Sequence, residues 1–122
     1  MLKKQNRLKA HSAFKATYNN NNVVSDNKIV LYAGKIKTNE VAPTRVGFVV
    51  SKKISKRAVK RNRIKRLIRE NVRLMLKNGE FSILNKFQSL IFIAKTDISD
   101  RNFDEIRNTI VILLGKMANK NI

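Results

Sequence analysis

KKISKRAVKRNRIKRLIR, residues 52–69, is the stretch on which the reading of this chain turns. Ten of its eighteen residues are Lys or Arg and none is acidic; Glu70 follows directly. From Ile64 onward the apolar residues fall at Ile64, Leu67, Ile68, Val72 and Met75, with Asn71 among them. That is the i, i+3, i+4 spacing of one helix face. At about 100° per residue, Lys65, Arg66, Arg69, Arg73 and Lys77 fall on the opposite face. The stretch predicts an amphipathic helix with a core side and a cationic side. Arg57, Lys60 and Arg61 would point toward the apolar side if the helix ran back that far, so they are expected at its entry or in the turn before it. A charge run is often just a solvated face. Here its density argues for a partner, because ten like charges repel one another and phosphates would relieve that repulsion. A membrane surface or calmodulin also accepts a basic amphipathic helix. So small a domain, however, needs the apolar stripe for its own core.

Composition supports a polyanionic partner. The 122 residues make one domain, residues 1–122, with a modest core. Lys plus Arg number 27 against 8 acidic residues, a formal charge of +19, which points to nucleic acid. The 43% hydrophobic content argues against a disordered basic tail. There is no cysteine, hence no disulfide framework and no thiolate chemistry, which fits a reducing, cytoplasmic location. No apolar run approaches the ~18 residues of a membrane span, and no apolar stretch follows the charged N-terminus as a secretory signal requires.

Around the basic helix the chain reads as alternating elements. Residues 1–10 form a basic arm with Lys3, Lys4, Arg7 and Lys9. Ser12 is a candidate N-cap for a short helix over residues 13–18, where Phe14 and Tyr18, four apart, share a face. The tract from Asn19 to Asn22 reads as helix stop and turn. Residues 28–37 read as a strand with Gly34 as a bulge, and a weaker strand lies around residues 23–25. Residues 38–44, with Glu40 and Pro43, form a loop. Residues 45–51 are apolar on both faces and are expected in the centre of a sheet. Asn78-Gly79 stops the basic helix, and residues 89–95 form another buried strand. Asp97, Ser99 and Asp100 are cap candidates for a last helix, with apolar Phe103, Ile106, Ile110, Leu113, Leu114 and Met117 at helical spacing. Gly115 inside that helix costs about 1 kcal/mol against Ala. The order is helix, two or three strands, basic helix, strand, helix: an α+β layer.

No protein-based catalyst emerges. His11 is the only histidine and has no partner visible in the sequence; it reads as a surface or capping residue. The carboxylates Asp26, Glu40, Glu70, Glu80, Asp97, Asp100, Asp104 and Glu105 are scattered, and Asp97, Asp100 and Asp104 suit the start of a helix. No Gly-rich phosphate loop occurs. Phe14, Tyr18 and Tyr32 read either as core or as a platform on which unpaired bases stack. The composition also fits a structural ribosomal protein, or a duplex-DNA binder presenting Asn62 between Arg61 and Arg63.

Set in context, RVGFVVSKK at residues 45–53 followed by AVKRNRIKRLIRE at 58–70 resembles the protein subunit of bacterial ribonuclease P. RLKAHSAFKATY, IVLYA and LIFIAK resemble that family's opening, its first long strand and its last strand. Ser55 departs from the glycine many members carry there, and the Asn tract replaces a basic, Gly-containing turn. The resemblance implies a single-domain α+β fold, a four-stranded sheet with three helices in α-β-β-β-α-β-α order, like the second domain of ribosomal protein S5. It also implies a left-handed β-α-β crossover, against the usual hand. It implies an endoribonuclease that removes the 5′ leader of precursor tRNA, with catalysis and Mg²⁺ in the RNA subunit, no catalytic residue or metal site in the protein, and one protein per RNA. Lys56, Arg57, Lys60, Arg61, Asn62, Arg63, Lys65, Arg66 and Arg69 would then bind the catalytic RNA. Phe14, Tyr18 and Tyr32 would hold the single-stranded leader of the precursor tRNA, with Arg7, Lys52 and Lys53 at the edges of that cleft.

Overall fold

The computed structural model describes residues 2–39 and 41–120. Met1, the first residue of the expected arm, and Glu40, the acid of the expected loop, lie outside the described residues. The elements follow the order α1 (His11–Asn19), β1 (Asn22–Ser25), β2 (Ile29–Ala33), β3 (Arg45–Val49), α2 (Ala58–Asn78), β4 (Ser89–Ala94) and α3 (Phe103–Lys120). The strands form one mixed sheet in the order β1-β2-β4-β3; β4 runs antiparallel to β2 and parallel to β3. The single domain is α+β with three helices and four strands, as expected.

Register decides what each face carries. Ile29, Leu31 and Ala33 of β2, Leu90, Phe92 and Ala94 of β4 and Val46 of β3 point to one side, where α2 and α3 pack. Ile64, Ile68, Val72 and Met75 of α2 and Ile106, Ile110, Leu113 and Met117 of α3 are fully buried in that layer. Burying each such side chain contributes roughly 1.5–3 kcal/mol. The other face carries Val30 and Tyr32, Ile91 and Ile93, and Gly47 and Val49. The one helix on it is α1.

Four expectations need correction. β3 is an edge strand, not a central one. Its apolar faces are explained by helices above and below it, and its free edge is met by Leu8, whose N–H donates to the Val46 carbonyl at 3.0 Å. Residues 2–10 are therefore no free arm: Leu2 and Leu8 are buried, and the Asn6 amide donates to the Thr44 carbonyl at 2.8 Å. Gly34 is no bulge. It follows β2, and a Cβ there would collide with the Ser89 hydroxyl. Capping also differs. Ala10, not Ser12, precedes α1. At α3, Asn102 accepts from the Glu105 N–H at 2.9 Å while Glu105 accepts from the Asn102 N–H at 3.3 Å. This reciprocal pair is a capping box, and it displaces Asp97, Ser99 and Asp100, which lie before it.

The stops behave as read. Asn21, in the Asn tract, has φ 55°, and Gly79 after α2 has φ 62°, with the Glu80 N–H closing back on the Met75 carbonyl at 3.3 Å.

Two predictions follow from the helix positions. Gly115 is exposed and a Cβ there meets nothing within 4 Å, so Gly115→Ala should raise stability by about 0.5–1 kcal/mol in thermal unfolding. The Asn102 N–H, then Arg101, hold the Glu105 carboxyl below its ordinary range. Its stabilisation is complete above the unfolded carboxylate pKa of about 4.3 and is lost as pH falls through the lower folded value. Glu105→Gln should therefore lose less thermal stability than the parent between pH 5 and pH 2 (roughly the window in which such a carboxylate titrates); parallel curves would contradict this.

Candidate nucleic-acid interface

The interface begins where α2 begins. The turn after β3 closes with the Ile54 N–H on the Ser51 carbonyl at 3.1 Å. Ser55, at the position of the glycine noted above, accepts the Arg57 N–H on its hydroxyl at 3.2 Å, and its carbonyl accepts Arg61 Nη1 at 2.9 Å. Arg57 precedes the first helical residue, and Lys60 and Arg61 fall in the first turn, as expected from the spacing. Lys52, Lys53, Lys56, Arg57, Asn62, Arg63 and Arg66 are exposed; Lys60, Arg61, Lys65 and Arg69 are half-buried. Val59 among them is 83% exposed, so the first turn of α2 overhangs the core.

The electrostatics of this end are unbalanced. The first turn contains no acidic residue. Cations there oppose the positive end of the helix dipole, at a cost of about 0.3–1 kcal/mol each when exposed. Of the nine residues expected to bind RNA, Lys60 has a carboxylate partner, Asp100 at 3.1 Å, on the surface. Arg63 reaches the Arg101 carbonyl at a long 3.4 Å. No acidic group lies within 4.0 Å of Lys56, Arg57, Arg61, Arg63, Lys65, Arg66 or Arg69 among the described residues. Glu70 is occupied by Arg73, which hydrogen-bonds both its oxygens and holds its carboxyl below the ordinary range.

A second surface lies across the sheet. α1 runs over the strands from β3 to β2, so that Phe14 sits on Gly47, the Thr17 and Ser89 hydroxyls share a hydrogen bond, and the Tyr18 ring meets Tyr32 edge-on at 5.0 Å. Phe14 and Tyr18 centroids are 6.5 Å apart. The three aromatics thus form one half-buried cluster. Burial, with Tyr32 adding, raises the Tyr18 phenol above its usual range. Beyond it α1 leaves the next row of the sheet, Val30–Ile93–Val49, half-exposed. These three residues continue the sheet face on which the aromatic cluster sits. Strand alternation alone does not say which face stays uncovered, so this row does not stand out in the sequence.

Lys52 and Lys53 leave β3 at the end of that row. Arg7 does not reach it: its Nε donates to the Leu2 carbonyl at 3.1 Å, and the neighbouring Leu8 packs beside Phe14 and Gly47. His11 is exposed at the first position of α1. Among the described residues no three His, Cys, Asp or Glu side chains gather as a metal cage, and no helix is long and apolar enough to cross a membrane.

Comparison with known proteins agrees with this geometry. A family model described as Ribonuclease P matches residues 2–118. The ribonuclease P protein component of Staphylococcus epidermidis is 37% identical, over 99% of each chain. That of Clostridium botulinum strain Langeland is 34% identical over 93% of this chain and 95% of its own. The structure of the Staphylococcus aureus RNase P protein superposes with a TM-score of 0.72 at 29% identity, covering 92% of this chain and 94% of that one. The Thermotoga maritima RNase P protein shares the fold, with a TM-score of 0.71 at 22% identity, over 90% of this chain and 96% of that one.

Gly47 is the keystone of the aromatic cluster, since a Cβ there would lie 2.6 Å from Phe14 Cζ. Gly47→Ala should push Phe14 off the sheet and destabilise the fold by about 1–3 kcal/mol. Near-ultraviolet circular dichroism of the aromatics should change with it; an unaltered aromatic signal would contradict this packing.

Proposed function

We propose a function from one premise: the chain belongs to the ribonuclease P protein family. In this reading it is the protein subunit of a ribonucleoprotein that removes the 5′ leader from precursor tRNA, one protein per RNA. The catalytic RNA performs the hydrolysis and holds the Mg²⁺, and no step passes through a metal on the protein. Residues 56–69 grip phosphates crowded by the RNA fold. The cleft floored by Tyr32, Val30, Ile93 and Val49 and walled by Phe14 and Tyr18 takes the single-stranded leader by stacking. The protein thereby positions substrate and screens RNA–RNA repulsion away from the scissile bond.

The observation that carries this reading is the set of unneutralised cations at the α2 N-terminus. A surface meant for solvent alone would gain stability from acidic neighbours, and these residues have almost none within reach. The cleft on the opposite sheet face gives the same end of the molecule a second, uncharged surface, suited to unpaired bases.

Arg63→Gln with Arg66→Gln should weaken binding to a bacterial ribonuclease P RNA transcript and lower the salt slope of the affinity by about two, with unfolding unchanged. Arg61→Gln should lower the slope by about one and also cost stability, because it loses the Ser55 carbonyl. Tyr32→Ala should reduce the preference for leader-bearing over mature tRNA, by about 1–3 kcal/mol per stacked base. Purified protein free of RNA should leave precursor tRNA intact; cleavage by the protein alone would overturn the assignment.

A further inference from the structure

At the far end of α2 from the basic turn lies a groove of about 1300 Å³, bordered by residues 2–6, residues 36–37 and 41–43, the last turns of α2, residues 82–86 and Ala118 of α3. It exceeds the roughly 300–1,000 Å³ of small-molecule pockets, which suits a segment of a polymer. Its floor and lips include Leu2, Ile36, Leu76 and Ile83. Ile36 is 54% exposed and Val41, at the rim, 91% exposed; they are two of the four large apolar side chains left in solvent among the described residues. Lys3, Arg73 and Lys77 ring the apolar floor, and no carboxylate is among the described lining residues. Arg73 is engaged by Glu70, whereas no hydrogen bond or ion pair within the described chain involves the Lys3 or Lys77 ammonium. The amides of Gln5, Asn6 and Asn85 and the side chains of Lys37 and Lys86 also line it.

This groove continues the cationic stripe of α2. Arg66, Arg69, Arg73 and Lys77 follow one another at intervals of three and four and so descend one face of the helix. From Arg61 to Lys77 the rise is about 24 Å at ~1.5 Å per residue. A folded polyanion lying along α2 from its N-terminus would therefore arrive at Lys77.

We propose that the groove is a second anchor for the catalytic RNA and receives a short unpaired segment of it. Bases lie on Ile36, Leu76 and Ile83, phosphates meet Lys3 and Lys77, and side-chain amides meet base edges. A duplex would present phosphates alone and leave Ile36 and Leu76 facing water, which favours unpaired nucleotides. The inference rests on the function proposed above, deepens it, and fails separately from it.

The chain has no cysteine, so single-cysteine photo-crosslinking is clean. Ile36→Cys and Asn62→Cys, both at exposed positions, would be labelled and mixed with a bacterial ribonuclease P RNA transcript. The proposal expects crosslinks from both, with position 36 reaching unpaired nucleotides that position 62 does not reach. Lys3→Gln with Lys77→Gln should weaken the same complex roughly tenfold and lower its salt slope by about two, with unchanged leader preference. Crosslinking from 62 with none from 36, or a Lys3/Lys77 variant of parental affinity and slope, would overturn the groove and leave the function standing. Crosslinking from neither position would overturn both.

Discussion

Burial of one helical stripe governs the molecule. Ile64, Ile68, Val72 and Met75 are sealed against the sheet and α3, and this fixes the rotation of α2 about its axis. With the helix so clamped, Arg66 and Lys77 are exposed and Lys65, Arg69 and Arg73 lie half-buried along its flanks. Turning the cations inward would expose the stripe and bury charge without partners, each costing several kcal/mol. The cationic surface is thus a consequence of core packing and does not require specific contacts of its own.

The same logic explains where the chain tolerates unfavourable electrostatics. Four ion pairs link the described residues. Three of them, Arg73–Glu70, Arg101–Glu105 and Arg107–Glu80, involve no residue of the first turn of α2. Surface pairs of this sort contribute little singly. Their placement matters more, because none of the three neutralises a cation of the first turn of α2, where Lys60 with Asp100 is the one pair among the described residues. A polyanion bound there would recover the stability lost, coupling folding energy to assembly.

Much of this was legible in the sequence. The period of α2 and its Asn78-Gly79 stop read directly, because helix periodicity and a left-handed glycine are local signals. The shared face of Phe14 and Tyr18 was also local. Tyr32 joined them through strand register, which is long-range. What stayed hidden was relational. The edge position of β3 cannot be told from its apolar residues, because a helix on each face mimics a central strand. The burial of Leu2 and Leu8 depends on the edge that β3 leaves open. The distal groove combines five separated segments, none with a distinctive motif. The Asn102–Glu105 capping box is a local signal in the sequence, but two acids and a serine just upstream, Asp97, Ser99 and Asp100, offer the same capping chemistry.

The most direct test of the account is amide hydrogen exchange of the protein with and without a bacterial ribonuclease P RNA transcript. The account predicts slowed exchange through residues 52–66, where the first N–H groups of α2 meet phosphate, and unchanged exchange on the outer face of α3 around Ile112. Protection centred on α3, with residues 52–66 exchanging as in the free protein, would contradict it.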